Sequence, residues 1–175
     1  MRLISAVLVC CAVLGLSSKM ASAAEVDVVG KGCIPADSAF SGRLYYDFFD
    51  PQPDIRWASG KSGTITLYCP IPANGFSFDR FYIFAYNNNG CTSCNVGCTH
   101  SDYINASYVK MNKTTGAVST IASVSTLGFC NQGGDEATEI SITDSYSSNY
   151  VYYIKVDMVS STGAQGLYGL TLWHT

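Results

Sequence analysis

The stretch that decides the fold reads GTITLYCP and runs from Gly63 to Pro70. Three of its side chains, those of Ile65, Leu67 and Cys69, are apolar and alternate with threonine and tyrosine. Because successive side chains of a β-strand point to opposite faces, this period of two predicts a strand with one buried face. Glycine and proline at its two ends are residues that bound strands.

Segments with similar alternation follow one another along the chain and are separated by Gly, Pro, Asn and Ser residues typical of turns. They comprise residues 40–49, 64–69, 76–86, 103–111, 117–127, 138–143, 150–159 and 167–173, with a shorter one at 55–58. No window of residues 24–175 has a sustained helical period. The pattern predicts one all-β domain, a two-sheet antiparallel sandwich of Greek-key or jelly-roll type, because a single sheet would leave one apolar face wet. The order of the strands stays open.

The last two segments show which side chains the pattern assigns to the core. Within residues 150–159 the inward side chains are Tyr152, Ile154, Val156 and Met158, and the outward ones are Tyr153, Lys155 and Asp157. Within residues 167–173 the inward ones are Leu170 and Leu172, and the outward ones are Thr171 and Trp173.

The N-terminus has the parts of an export signal. Arg2 is positively charged, Leu3 to Leu16 is an apolar run, and small residues at 21–23 form a signal-peptidase site. The run is shorter than the ~20 residues that a membrane-spanning helix needs, which argues against an anchor. We predict a signal peptide at residues 1–23, a secreted domain at residues 24–175, and a location in the periplasm or the extracellular space.

Six of the eight cysteines lie beyond the predicted signal peptide: Cys33, Cys69, Cys91, Cys94, Cys98 and Cys130. An even number of cysteines in an oxidising compartment predicts structural disulfides. We predict that Cys33 pairs with Cys69 and that the other four cysteines form two bridges around the irregular segment at residues 87–101.

A zinc site is the alternative for part of this set. Cys91, Cys94, Cys98 and His100 have the ligand types and the close spacing of a tetrahedral zinc centre. Because thiols oxidise after export, the predicted compartment favours disulfides. We therefore predict no metal cofactor.

The charge of the chain excludes some partners. The formal net charge is −3, and loss of Arg2 and Lys19 with the signal peptide makes it more negative. Binding the nucleic-acid backbone requires a cluster of Lys and Arg, so we predict no nucleic-acid partner. No basic amphipathic stretch indicates a membrane partner for the mature form.

Aromatic residues make up 13% of the chain and accompany abundant Ser, Thr, Asn and Gly. Strand alternation points five rings outward, those of Tyr45, Phe49, Tyr68, Tyr153 and Trp173, and exposed rings stack on sugars or anchor protein partners. Two alternatives stay open: a register slip of one residue would turn these rings inward, and Trp173 would serve equally to cover the edge of the sandwich.

Candidate catalytic groups are few. The chain has two histidines, His100 and His174, and no Gly-x-Ser-x-Gly motif marks a nucleophile. Asp47, Asp50 and Asp54 surround a turn, and they are weak candidates for a calcium site or, like Asp135-Glu136, for glycoside hydrolysis. Carboxylates in turns also accept local hydrogen bonds, and this interpretation is favoured. We predict no catalytic residues.

Two sequences fit the acceptor pattern for N-glycosylation, and they begin at Asn105 and Asn112. They matter only in a eukaryotic secretory pathway, and the signal peptide does not identify the host.

The leading functional interpretation is a secreted, non-catalytic domain that binds a carbohydrate or another cell-surface component through exposed aromatic rings. The alternative is a structural, self-assembling subunit. The strand Thr64–Cys69 ends at Cys69, the first cysteine after Cys33, and this arrangement loosely resembles the first half of pilus-type subunits. The resemblance implies an unpaired sheet edge as the binding surface. The chain departs from that family in its four further cysteines and in its C-terminal sequence. A secreted hydrolase using His100 is the least supported class.

Overall fold

The computed structural model describes residues 24–36, 43–47, 54–71, 75, 77–87, 102–126, 134–161 and 165–174 of the chain. Regular structure in these residues consists of β-strands and one 3-10 helix, Gly30–Gly32. The strands are β1 Ala24–Val29, β2 Ile34–Pro35, β3 Leu44–Asp47, β4 Asp54–Trp57, β5 Gly63–Pro70, β6 Arg80–Asn87, β7 Tyr103–Asn112, β8 Val118–Ser125, β9 Gly134–Ser141, β10 Tyr150–Ser160 and β11 Gln165–His174.

The strands form two antiparallel sheets. The six-stranded sheet has the order β3-β4-β11-β6-β9, and β1 pairs with β11. Strand β6 pairs along one edge of β11. The other edge is shared by two strands: β1 pairs with Gly169–His174, and β4 pairs with Gly166 and Leu167. The five-stranded sheet has the order β2-β5-β10-β7-β8.

The strand pairings are nested along the chain. Strand β7 pairs with β8, β6 with β9, β5 with β10 and β4 with β11. Nested pairings of eight strands that alternate between two sheets are the arrangement of a jelly roll. The predicted all-β sandwich is confirmed, and of its two predicted types the jelly roll is the one observed.

The core lies between the two sheets where the alternation places it. Ile65, Leu67 and Cys69 of β5 are fully buried, and they pair across the sheet with Met158, Val156 and Ile154 of β10, which are also fully buried. The opposite sheet contributes fully buried side chains, including Phe81, Ile83 and Leu172. The predicted inward faces of β5, β10 and β11 are therefore confirmed, with Tyr152 only partly buried at the margin.

The Cys33–Cys69 disulfide is present and joins the residue before β2 to β5. Both cysteines are buried in the core. The predicted pairing of these two residues is confirmed. The other four cysteines, Cys91, Cys94, Cys98 and Cys130, lie outside the described residues.

The observed strands differ from the sequence pattern in several places. β1 and β2 form where the pattern predicts no strand, and Val26 and Val28 of β1 are buried against the sheet. Strand β9 begins at Gly134 and β6 begins at Arg80 because these two strands pair along their whole length, from Arg80↔Ser141 to Asn87↔Gly134. The acidic pair Asp135-Glu136 therefore lies within a strand.

A close backbone approach ties the 3-10 helix to β11 and gives a first prediction. A methyl group added at Gly30 would overlap the carbonyl oxygen of Leu167. Because the backbone of a central strand cannot easily move, we expect Gly30→Ala to lower the free energy of unfolding by about 1–3 kcal/mol in urea denaturation. Gly32→Ala is the matched control, since a methyl group there meets no atom within 4 Å. Equal stability of the two variants would contradict this packing.

Candidate functional site

One face of strand β6 is buried and the other is aromatic. Phe81, Ile83 and Ala85 are fully buried in the core. Tyr82, Phe84 and Tyr86 alternate with them and therefore project from the outer face of the six-stranded sheet. The sequence thus builds a column of rings along the strand because every second residue is an aromatic one.

Trp173 of β11 extends this column. Its ring centroid lies 6.3 Å from that of Tyr82, and the rings of Tyr82 and Phe84 stack with their centroids 6.5 Å apart. Trp173 is 37% exposed and Phe84 is 40% exposed. We call Trp173, Tyr82, Phe84 and Tyr86 the aromatic row.

The far end of the aromatic row carries an arginine. The guanidinium carbon of Arg56 on β4 lies 5.7 Å from the ring centroid of Tyr86 and 6.0 Å from that of Tyr168. Tyr168 lies at the β-bulge of β11, where the register with β6 shifts between Leu167 and Gly169. At such distances the positive guanidinium is attracted to the faces of the two rings.

Polar side chains border the row on both sides. Arg80 Nη1 lies 3.6 Å from Glu139 Oε2 and donates a hydrogen bond of 3.4 Å to the hydroxyl of Tyr82. On the opposite side, the hydroxyl of Thr171 donates to Asp27 Oδ1 at 2.6 Å. Flat rings flanked by carboxylate and guanidinium groups are the elements that bind a ligand with one apolar face and hydroxyl groups at its edges.

The five aromatic residues singled out in the sequence do not lie on one surface. Trp173 belongs to the six-stranded sheet, whereas Tyr68 and Tyr153 lie on the outer face of the five-stranded sheet with their ring centroids 5.8 Å apart. Tyr45 lies opposite Arg56 in the β3–β4 register. The side chain of Tyr45, and the whole of Phe49, lie outside what the structure describes.

The outer face of the five-stranded sheet carries polar side chains together with exposed apolar ones, which are Ile34 at 63%, Val118 at 58% and Val151 at 41% exposure. Asp157 accepts a hydrogen bond of 2.6 Å from Thr66 and one of 2.8 Å from Lys155, and the hydroxyls of Ser107 and Ser123 lie 2.8 Å apart. The hydrogen bond to Asp157 raises the pKa of Lys155. The polar side chains pair with one another, and the ring of Tyr68 is 43% exposed and lies opposite Ile34 in the β2–β5 register.

A third group of rings lies at the margin of the core. The rings of Tyr108 and Tyr146 each stack on that of Tyr152, with centroids 5.8 and 5.5 Å away. Burial, with Tyr152 and Asp144 nearby, raises the pKa of Tyr108. The hydroxyl of Tyr152 accepts a hydrogen bond from the backbone N–H of Ser147. This group fastens the β9–β10 loop to the sandwich.

The candidate catalytic and metal-binding residues are only partly described. Asp47 and Asp54 are cross-strand partners in the β3–β4 register, so the backbone brings them together. Their side chains, as well as Asp50 and His100, lie outside what the structure describes. Within the described residues, no group of three or more His, Cys, Asp or Glu side chains is arranged to hold a metal ion. Nδ1 of His174 lies 3.5 Å from Asp79 Oδ2.

The two glycosylation patterns differ in their setting. Asn112 ends β7, and its Oδ1 accepts hydrogen bonds from the N–H groups of Thr114 and Thr115, both at 2.9 Å. Asn105 lies within β7 and pairs with Asp157 and Ser125 on the neighbouring strands. Glycosylation of either residue stays a prediction.

Most of the aromatic row lies outside the five rings predicted from the sequence. Tyr82, Phe84 and Tyr86 alternate with apolar residues, and Arg80 at the start of the strand marks their face as the outer one. That signal was available in the sequence. The contact between Trp173 and Tyr82, and the position of Arg56 and Tyr168, depend on strand order and on the bulge, which no local pattern shows.

In the described part of the chain, no helix has the length and apolar character to cross a membrane.

No family model and no curated protein matches the chain. Among solved structures, it is similar to the C-terminal CBM6 of LamC, a marine laminarinase from Zobellia galactanivorans, with 5% identity and a TM-score of 0.49 over 86% of this chain and 100% of that one. It is similar to a family 29 carbohydrate-binding module (11% identity, TM-score 0.41, 86% of this chain and 88% of that one) and to CBM29_1 from Piromyces equi (10%, 0.38, 88% and 92%). At these values the likenesses carry no argument about function.

Proposed function

We propose that this protein is a secreted, non-catalytic domain that binds carbohydrate on the outer face of its six-stranded sheet. The observation that supports the proposal is the aromatic row. Four rings follow one another on a face that points away from the core, and two of them, Trp173 and Phe84, remain more than one-third exposed.

The exposure of these rings has an energetic cost. Fully burying a phenylalanine side chain stabilises a fold by about 1.5–3 kcal/mol, and an exposed ring forgoes part of that gain. Single exposed apolar residues are ordinary, but a contiguous row of them indicates a binding surface. The apolar C–H face of a sugar ring is a fitting partner for such a row, because the neighbouring polar groups can bind its hydroxyls.

The polar groups of this face support the same ligand class. In the strand register Arg80 lies opposite Trp173 and Glu139 lies opposite Tyr82, while Asp27 lies opposite Thr171, which is the partner of Tyr82 on its other side. These groups provide both acceptors and donors. A sugar hydroxyl both donates and accepts hydrogen bonds, so it can bind either kind of group.

Export is the second part of the proposal. It is supported by the signal-peptide pattern of residues 1–23 and by the Cys33–Cys69 disulfide, since such bonds persist in oxidising compartments. We expect an intact mass of the natively produced protein, measured without reductant, to correspond to a chain that begins at Ala24 with its six cysteines oxidised. A chain that begins at Met1 and carries free thiols would contradict export.

The binding proposal is tested with a panel of immobilised glycans and soluble polysaccharides. The protein is the secreted chain, and the Tyr68→Ala variant is the control because it removes an exposed ring from the opposite sheet. We expect saturable binding to at least one glycan and unchanged binding by the control. The absence of binding to every glycan of the panel would refute the proposal.

A further inference from the structure

The outer face of the five-stranded sheet ends in a row of apolar side chains. Val151 of β10 lies opposite Met111 of β7, which in turn lies opposite Val118 of β8. The alternation of each strand places these three side chains on the side away from the core. Val118 and Val151 are both exposed. The row therefore offers apolar surface to a partner.

The apolar surface continues towards the β2 edge of the sheet. Tyr153 follows Val151 on the same face of β10 and lies opposite Val109 of β7. Val109 is buried, although its place in this register puts it on the outer face, so the apolar side chains here form a packed cluster. The ring of Tyr68 neighbours that of Tyr153 and lies opposite Ile34. We call this part of the face the apolar end, which comprises Ile34, Tyr68, Met111, Val118, Val151 and Tyr153.

The polar side chains on the rest of this face are bonded to one another. Thr66 and Lys155 both donate hydrogen bonds to Asp157, and the hydroxyls of Ser107 and Ser123 lie 2.8 Å apart. Removing a charge or a hydroxyl from water costs little extra when its hydrogen-bond partner is removed with it. These groups can therefore be covered by a partner without being left unpaired.

The charge of this face favours a second copy of the chain as that partner. Among the described residues that the five strands direct outward, only Lys155 and Asp157 are charged, and they neutralise each other. The whole chain has a formal net charge of −3, so two copies repel each other at long range. A neutral, largely apolar face is the surface on which they can approach without bringing like charges into contact.

The size of the face also matches a dimer interface. At about 3.3 Å per residue and about 4.8 Å between strands, the five strands cover roughly 600 Å² before the relief of the side chains is counted. An interface of standard size takes about 800 Å² from each partner and combines apolar with polar surface. A two-fold axis parallel to the strands places the apolar end of one copy against that of the other.

We propose that two copies of the chain pack back to back through the outer faces of their five-stranded sheets, with apolar end against apolar end. Sheets that pack face to face lie about 10 Å apart, so the two six-stranded sheets lie about 30 Å apart with their aromatic rows pointing in opposite directions. The dimer does not depend on the proposed function. Its consequence does: a dimer with two outward binding surfaces cross-links separate polysaccharide chains.

The dimer is tested by sedimentation velocity of the secreted chain in the absence of glycan. We expect a reversible change from monomer to dimer as the concentration rises from about 1 to 100 µM. The Val151→Lys variant places a cation in the apolar end of each copy, and we expect it to dimerise at least about tenfold more weakly. Thr143→Lys is the matched control, because it adds the same charge at an exposed position of the β9–β10 loop, and we expect it to dimerise as the wild type does.

A cooperative urea transition establishes that each variant is folded. Should Val151→Lys fail to fold, Val118→Lys tests the same row at a more exposed position. Tyr68→Ala removes one ring and leaves the row intact. We expect it to weaken the dimer less than about fivefold, so that it remains a control for glycan binding.

The consequence for binding has its own assay. We expect the wild type to aggregate beads coated with a glycan that binds in the panel. Val151→Lys is expected to bind a soluble oligosaccharide of that glycan with wild-type affinity in calorimetry, but to need at least about tenfold more protein to aggregate the beads. Equal aggregation by the two proteins would refute cross-linking by the dimer.

The outcomes separate this inference from the proposed function. A wild-type chain that stays monomeric at every concentration overturns the dimer, and so does a folded Val151→Lys variant that dimerises as tightly as the wild type. The absence of binding to every glycan overturns the proposed function and leaves the dimer standing, since sedimentation is measured without glycan.

Discussion

The Trp173→Ala/Phe84→Ala double variant is expected to lose about 100-fold or more in affinity for the glycan that the wild-type protein binds. Each ring that stacks on a sugar is expected to contribute about 1.4 kcal/mol, and each such increment corresponds to a factor of ten in the dissociation constant. Both side chains project from the outer face of the sheet, so their removal leaves the fully buried side chains between the sheets in place. Isothermal titration calorimetry measures the effect.

Tyr68→Ala provides the matched comparison for this loss. Tyr68 is as exposed as Phe84 and also belongs to a pair of neighbouring rings, but it lies on the other sheet. We expect Tyr68→Ala to retain wild-type affinity and the double variant to show a cooperative urea transition, which establishes that it is folded. Wild-type affinity of the double variant, or a loss of binding in Tyr68→Ala, would place the site elsewhere.

The Cys33→Ala/Cys69→Ala variant is expected to be less stable than the wild type by about 4 kcal/mol. The disulfide spans 36 residues, and closing a loop of that size restricts the unfolded chain by about this amount in the entropic account. Since a domain of ordinary stability has about 5–15 kcal/mol, the loss is a large share of the total.

Urea denaturation of the wild type and the double alanine variant, both without reductant, measures this effect under the same redox conditions for each protein. Met158→Leu is a useful reference, because it replaces a fully buried side chain of the same core with one of similar volume. A loss below about 1 kcal/mol would show that the bridge does not constrain the unfolded chain as the entropic account requires.

Local alternation made the class of fold predictable from sequence. The buried faces of β5 and β10 follow directly from every second residue, because one register places all of Ile65, Leu67, Ile154 and Val156 between the sheets. The disulfide was predictable for a related reason. Cys69 lies on the inward face of β5, where it can bond to Cys33 just before the neighbouring strand β2.

Strand order was not predictable, because it depends on contacts between distant residues. Thr66 meets Asp157, 91 residues away, and Asp27 meets Thr171, 144 residues away. The aromatic row also depends on contacts between residues that are distant in sequence. The rings of β6 can be assigned to one face from their alternation, but the approach of Trp173 and Arg56 requires the pairing of β11 with both β6 and β4.

The most direct test of the central claim uses the two tryptophans, Trp57 and Trp173, in a nitrogen-15 NMR titration with a glycan that binds. Trp57 is buried in the core at 3% exposure, whereas Trp173 lies in the aromatic row. We predict that the indole N–H signal of Trp173 shifts until binding saturates, while the signal of Trp57 stays in place. A saturable shift confined to residues around Tyr68, with the Trp173 signal unchanged, would contradict the account.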